Sequence, residues 1–149
     1  MEGVLSGMRR QGFTLVEVVL VLALAGLFAL GGVSAVGRLV PKFHLQSGIW
    51  EVTTGLNQAR FRAILSGAPV RVRFDAPGFA IEIYDTTEGT WRTSRVAPLP
   101  GVLVRANNAP VFHPQGTVSD LASITVWNAR GAYRITVAIT GRIRTVRTG

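Results

Sequence analysis

The sequence predicts an α+β protein: a long amino-terminal helical spine, its first half transmembrane, packed through its second half against an antiparallel β-sheet head. Three observations carry that expectation. Residues 18–37 contain no charged side chain, and a helix of that length, at ~1.5 Å per residue, covers about 30 Å, the thickness of a hydrocarbon core. Leu45, Ile49, Val52, Leu56, Ala59 and Ala63 recur at spacings of four and three, which makes one apolar helix face. From Val70 onward the period falls to two, in short runs separated by Gly, Pro, Asn and Asp, as in half-buried strands.

The 149 residues leave room for one membrane helix and one head of roughly 100 residues, a size that folds on its own core. Two large domains are excluded. Sixteen basic against eight acidic residues give a net charge of +8, and Lys42 is the only lysine. The positive charge is thus almost all arginine, whose fork matches phosphate and carboxylate geometry. Solvated surface arginines account for most of such a composition. With no cysteine, the chain has no disulfide and no thiol or cysteine-metal chemistry, so the core alone holds the head together.

Residues 1–12 end in Gln11-Gly12 and set Arg9 and Arg10 beside the apolar run. An ordinary secretory signal has its small-residue cleavage site after the apolar region; here Gly12 lies before it, so processing would keep the helix. The two arginines, with few charges just beyond Gly37, put the amino terminus on the cytoplasmic side. A lone carboxylate, Glu17, stands at the mouth of the run, where a charge is costly and ordinarily has a partner.

Gly12-Phe13-Thr14-Leu15-Val16-Glu17, followed by that helix, resembles the class III signal of type IV prepilins and type II secretion pseudopilins. The resemblance implies that residues 1–12 are a leader peptide removed after Gly12 by a membrane aspartic peptidase, which also methylates the new terminus, Phe13. It implies that Glu17 pairs with the terminal amine of a neighbouring subunit during assembly. The implied partners are other pilin or pseudopilin subunits, the prepilin peptidase and methyltransferase, and an inner-membrane assembly platform. The implied location is the inner membrane, crossed once with a cytoplasmic amino terminus and a periplasmic head, and then a pilus or pseudopilus filament. Residues 13–40 would be the transmembrane and filament-core helix, and residues 41–149 the periplasmic or extracellular head.

Gly26, Gly31 and Gly32 weaken the first half of the helix and allow close helix contact. Many major pilins carry a proline at the position matching Ser34, which this chain lacks. Past Pro41 the helix resumes on its apolar stripe, and Ser66-Gly67 with Pro69 ends it near residue 66. Residues 70–74 and 79–84 then alternate strictly about the turn at 75–78 and predict a hairpin. Residues 86–90 form another turn, 91–96 and 102–105 are weaker strands, and Val111-Phe112 lies between two Pro-containing turns; the pairing through this region is not readable. Residues 124–127, 133–139 and 142–146 predict a three-strand antiparallel meander.

This succession resembles the GspH/FimT branch of the minor pilins and pseudopilins. The resemblance rests on Ala59-Arg60 with Ala63-Ile64, on Pro69-Val70, on the spaced Phe112, Pro114 and Gly116, and on a terminal Gly-Arg-x-Arg at Gly141, Arg142 and Arg144. It covers almost the whole mature chain and implies a pilin or pseudopilin fold.

An enzyme finds little support. His44 falls on the exposed side of the spine and His113 in a loop, neither with a partner at a ligand spacing. Glu82, Asp85 and Glu88 gather near one hairpin, but their spacing fits no metal loop and reads as a solvated turn. No Walker loop, dinucleotide fingerprint or nucleophile elbow is present. No catalytic residue, metal or cofactor is expected.

One constellation rises above this background. Residues 130–149 carry Arg130, Arg134, Arg142, Arg144 and Arg147 and no acidic residue. On a strand Arg142 and Arg144 share a face with Ile143 opposite, about 6.5–7 Å apart, a spacing fit to grip successive phosphates of a nucleic-acid backbone. In DNA-uptake members of the branch, the resemblance implies that this motif belongs to a DNA-binding face, here Gly141, Arg142 and Arg144, extended by Arg147. Two functions stay open. In one, the head binds double-stranded DNA without sequence preference and serves natural transformation. In the other, the subunit is purely structural and primes pseudopilus assembly in type II secretion, its arginines guarding an edge strand or meeting acidic residues of an adjacent subunit.

Overall fold

The structure, a computed structural model, describes residues 13–149, except the side chains of residues 29–36 and 38. The leader, with Arg9, Arg10 and Gly12, lies outside the described residues, as do the side-chain expectations placed on residues 31, 32 and 34. The elements are α1 (Leu15–Ser66), β1 (Val70–Asp75), β2 (Gly78–Asp85), β3 (Thr90–Pro98), β4 (Leu103–Ala106), β5 (Val111–Phe112), β6 (Val118–Ser119), β7 (Ser123–Asn128), β8 (Gly131–Val137) and β9 (Ile143–Arg147). The chain divides into a first unit ending at Arg38 and a second, the head, Leu39–Gly149.

In the first unit Thr14 caps the helix. Its Oγ1 accepts the backbone N–H of Glu17 at 3.3 Å, and Glu17 itself lies in the first turn, where the helix dipole favours a negative charge. Every described side chain from Phe13 to Phe28 is exposed, and from Val18 to Phe28 the helix is apolar on all sides, which calls for apolar surroundings. Among the described residues no helix is long and apolar enough to cross a membrane; the side chains of 29–36, in the second half of the expected span, are not among them.

The head is built on the apolar stripe of α1. Leu45, Val52, Leu56, Ala59 and Ala63 are buried and Ile49 is partly buried, as the spacing requires. Gly55 lies on the same face. A Cβ there would stand 2.4 Å from Phe79 Cζ, so only glycine lets the Phe79 ring seat against the helix backbone.

Two sheets, rather than one, cover the stripe. Sheet A has the order β3-β2-β1-β5-β6 and sheet B the order β4-β7-β8-β9, and every pairing is antiparallel. The predicted hairpin is β1–β2, closed by Asp75↔Gly78, with Val72↔Ile81 and Phe74↔Phe79 on its inner face. The predicted meander is β7–β8–β9, to which β4 adds a fourth strand through Val104↔Val126. Residues from both sheets, among them Val72, Ile81, Phe112, Ile124, Val126 and Ile135, join the helix stripe in one buried cluster.

Three expectations are corrected. Strand β9 begins at Ile143, not at Arg142. A turn precedes it, in which Gly141 N–H donates to Ala138 O at 2.8 Å and Ala138 N–H to Arg142 O at 2.9 Å, with Gly141 at φ +75°. Glu82 is not part of a solvated turn: it lies within β2, 4% exposed, covered by Arg71 from β1. His44 is half-buried rather than on the exposed side of the helix, with its ring against Gly101. His113 Nε2 and Ser119 Oγ are 2.9 Å apart across the β5–β6 turn.

Candidate functional site

The head's charges are divided between its two sheets. On sheet A every arginine meets a carboxylate. Arg71 binds Glu82 Oε2 through Nε at 2.8 Å and Nη2 at 2.6 Å, and its guanidinium lies 4.4 Å from the centre of the Trp91 ring. Arg73 reaches Asp75 at 2.7 Å and Glu82 at 3.6 Å. Arg92 reaches Asp85 at 3.1 Å and Glu88 at 2.5 Å. Arg95 turns toward α1 and meets Glu51 and Gln58, each at 2.5 Å. Asp85 also accepts the backbone N–H groups of Glu88 and Thr87, and these bonds, ahead of the Arg92 charge, hold its carboxyl below the usual aspartate range.

Sheet B is the opposite. Arg130, Arg134, Arg142 and Arg144 are exposed, and among the described residues none of them has a carboxylate within ion-pair distance. Arg147 Nε donates to the Gly149 carbonyl at 3.0 Å.

Strand register decides which of these side chains act together. In β8, Ile135 and Val137 are buried while Arg134 and Thr136 are exposed. Arg144 pairs with Thr136 and Val146 with Arg134, so Arg144 shares the outer face with Arg134. Arg147 pairs with Tyr133, whose side chain packs on the core, and so belongs to the other face of β9. Arg142 sits in the loop that leads into the strand. Of the arginines expected to act as a set, Arg144 is on the outer face, Arg142 flanks it and Arg147 points away.

The loop carrying Gly141 and Arg142 is held from beneath by Arg60 of α1. Arg60 Nη1 donates to Gly141 O at 3.5 Å, and its Nε is buried without a hydrogen-bond partner. A Cβ on Gly141 would stand 2.8 Å from Arg60 Nε and 2.9 Å from Gly116 O. Gly116 closes the β5–β6 turn, and Val118 N–H donates to Ile139 O at 2.9 Å, tying the edge of sheet A to the β8–β9 loop. Three short motifs, far apart in the chain, therefore meet at one junction. Arg60 was visible in the sequence as part of a motif, but its role depends on a contact with Gly141 that no local pattern signals.

Among the described residues no group of three His, Asp or Glu side chains is placed to hold a metal ion.

An amino-terminal methylation signature, together with a head of two antiparallel sheets packed on a helix stripe, defines the pilin-like class of proteins. The signature matches the model of the prokaryotic N-terminal methylation motif over residues 7–33. Residues 50–141 match the model of the type II transport protein GspH, and the chain belongs to that family. The minor pseudopilin EpsH of the Vibrio cholerae type 2 secretion system is similar in fold, with a TM-score of 0.57 at 18% identity over 72% of this chain and 97% of that one. The type IV minor pilin FimU of Pseudomonas aeruginosa gives a TM-score of 0.59 at 16% identity, covering 70% and 90%. Escherichia coli GspH gives 0.54 at 17% identity, covering 70% and 89%. No curated protein matches the chain.

Proposed function

We propose that this protein is a non-enzymatic minor subunit of a type IV pilus or type II secretion pseudopilus whose head binds double-stranded DNA through the loop and edge strand that carry Arg142 and Arg144. The observation that carries the DNA reading is the division of charge: every arginine of sheet A meets a carboxylate, while sheet B leaves its own open to solvent. Arginines without carboxylates favour a polyanion, and contacts to backbone phosphate give affinity without sequence preference.

In this reading the leader is removed after Gly12, Phe13 is methylated, and residues 13–40 anchor the subunit in the inner membrane with the head in the periplasm. The subunit then leaves the membrane on the assembly platform and joins other pilin subunits. The all-round apolar surface from Val18 to Phe28 supports an apolar setting for this segment. Glu17 meets the terminal amine of a neighbour. Glu17→Ala should leave processing intact and impair incorporation into filaments; normal incorporation counts against the role.

The test of DNA binding uses the isolated head, Lys42–Gly149, which contains the entire buried cluster and so folds on its own core. In an anisotropy titration with unrelated duplexes, the wild type should bind and Arg142→Gln with Arg144→Gln should abolish binding without loss of fold. No binding by the wild type, even at low salt, overturns the reading.

One observation favours the alternative, a structural subunit that primes assembly. Strand β9 is an edge strand of sheet B, and arginines on an edge prevent unwanted strand pairing. In that case duplex DNA does not bind and filament assembly alone fails when the head is altered.

A further inference from the structure

We propose that the DNA-binding surface extends from the Arg142 and Arg144 segment across the strands of sheet B, as a band that includes Arg134 and Arg105. The inference rests on the DNA reading above and adds Arg105 and Arg134, which lie outside the Gly-Arg-x-Arg motif, to the surface.

Register carries it. Arg105 of β4 pairs with Thr125 of β7, Thr125 with Arg134 of β8, and Arg134 with Val146 of β9. Residues directly opposite one another in an antiparallel sheet share a face, so these four form one row across all four strands. Arg144, opposite Thr136, stands one diagonal step from Arg134 on the same face. This face looks away from the core: Ile124, Val126 and Ile135 point inward and are buried, while Arg105, Arg134, Thr136 and Arg144 are exposed.

Two strand spacings separate Arg105 from Arg134 by about 10 Å, and the diagonal from Arg134 to Arg144 adds roughly 7–8 Å. A duplex carries one phosphate charge per ~1.7 Å of axis, so a band of about 17 Å faces a length bearing on the order of ten phosphates. Between the first two arginines, Thr125, Asn107 and Ser123 line a shallow depression and supply hydroxyl and amide donors of the kind that phosphate oxygens accept. Strands β4, β7, β8 and β9 contain no acidic residue, so nothing on the sheet opposes a polyanion laid across it.

The experiment is a set of anisotropy titrations of the isolated head against a duplex of arbitrary sequence over a range of salt concentrations. Each lost phosphate contact lowers the slope of log K against log salt by ~0.9. Arg105→Gln with Arg134→Gln should weaken binding equally on unrelated sequences and lower the slope by about 1.8. Arg134→Gln alone should lower it by about 0.9 and serves if the double variant does not fold. Arg92→Gln, exposed but paired with Asp85 and Glu88 on sheet A, should leave the slope unchanged. A wild-type head that binds while the Arg105 and Arg134 variants keep its slope overturns the band and spares the DNA reading. A wild-type head that does not bind overturns both. Binding of polyglutamate as tightly as a duplex of equal charge also overturns the band as a DNA site and points to an acidic protein face.

Discussion

Arg60 and Gly141, far apart in sequence, are in direct contact: the Arg60 guanidinium reaches the Gly141 carbonyl at 3.5 Å, and a Cβ on Gly141 would stand 2.8 Å from Arg60 Nε. Gly141 also sits at φ +75°, a conformation that costs other residues of order 1 kcal/mol. Gly141→Ala should therefore destabilise the head by about 1–3 kcal/mol in urea unfolding. Because the Gly116 carbonyl is 2.9 Å away on the same side, Arg60→Ala should rescue it only in part. Full stability of Gly141→Ala would show that the loop is not held as described.

Gly55→Ala sets two effects against each other. Alanine is worth ~1 kcal/mol over glycine inside a helix, yet its Cβ would stand 2.4 Å from Phe79 Cζ. Phe79 is 2% exposed, so its ring has little room to move and the clash should win. Urea unfolding should show net loss, with Phe79→Leu in the Gly55→Ala background recovering part of it. A more stable single variant would mean that the ring moves freely.

Glu82→Ala removes a carboxylate, 5% exposed, that neutralises Arg71. Breaking a buried pair from one side costs about 3–5 kcal/mol, and the partial exposure of Arg71 and its stacking on Trp91 should reduce that to about 1–3 kcal/mol. Replacing both partners, Arg71→Met with Glu82→Leu, should cost less than Glu82→Ala alone. Additive losses would argue against the pair.

Acid should loosen the β2–β3 turn. The pKa of Asp85 is lowered in the folded state by the N–H groups of Glu88 and Thr87, so its stabilising effect is complete above the ordinary aspartate value of 3.8 and is lost as pH falls through the lower folded value. An NMR titration of the Asp85 carboxyl should give a midpoint below 3.8. Asp85→Asn, which keeps the acceptor oxygen but not the charge on Arg92, should remove the local pH dependence. An Asp85 midpoint at or above that value refutes the turn geometry.

The legible parts of the fold were those whose pattern repeats within a few residues of itself. The α1 stripe from Leu45 to Ala63 and the β1–β2 hairpin each declare their buried face by period alone. The pairing between residues 86 and 120 does not, because β5 and β6 are two residues long and β4 finds its partner β7 beyond both of them. Glu82 misled for a related reason: its outward parity was readable, but its cover comes from Arg71 on the neighbouring strand. At the site, the odd separation of Arg144 and Arg147 already sets them on opposite faces of a strand. Arg105 could not be added, since only the β4–β7 register brings it into line with Arg134.

The division of charge between the sheets has a kinetic consequence. A head with one balanced face and one uncompensated cationic face feels a torque near any polyanion, and it turns sheet B forward within the last Debye length, ~8 Å at physiological salt, before any side chain makes contact. Encounters that would otherwise arrive in random orientations are thus sorted in advance, and this sorting weakens as ions are added. The asymmetry governs how quickly the right face arrives, quite apart from how tightly it holds.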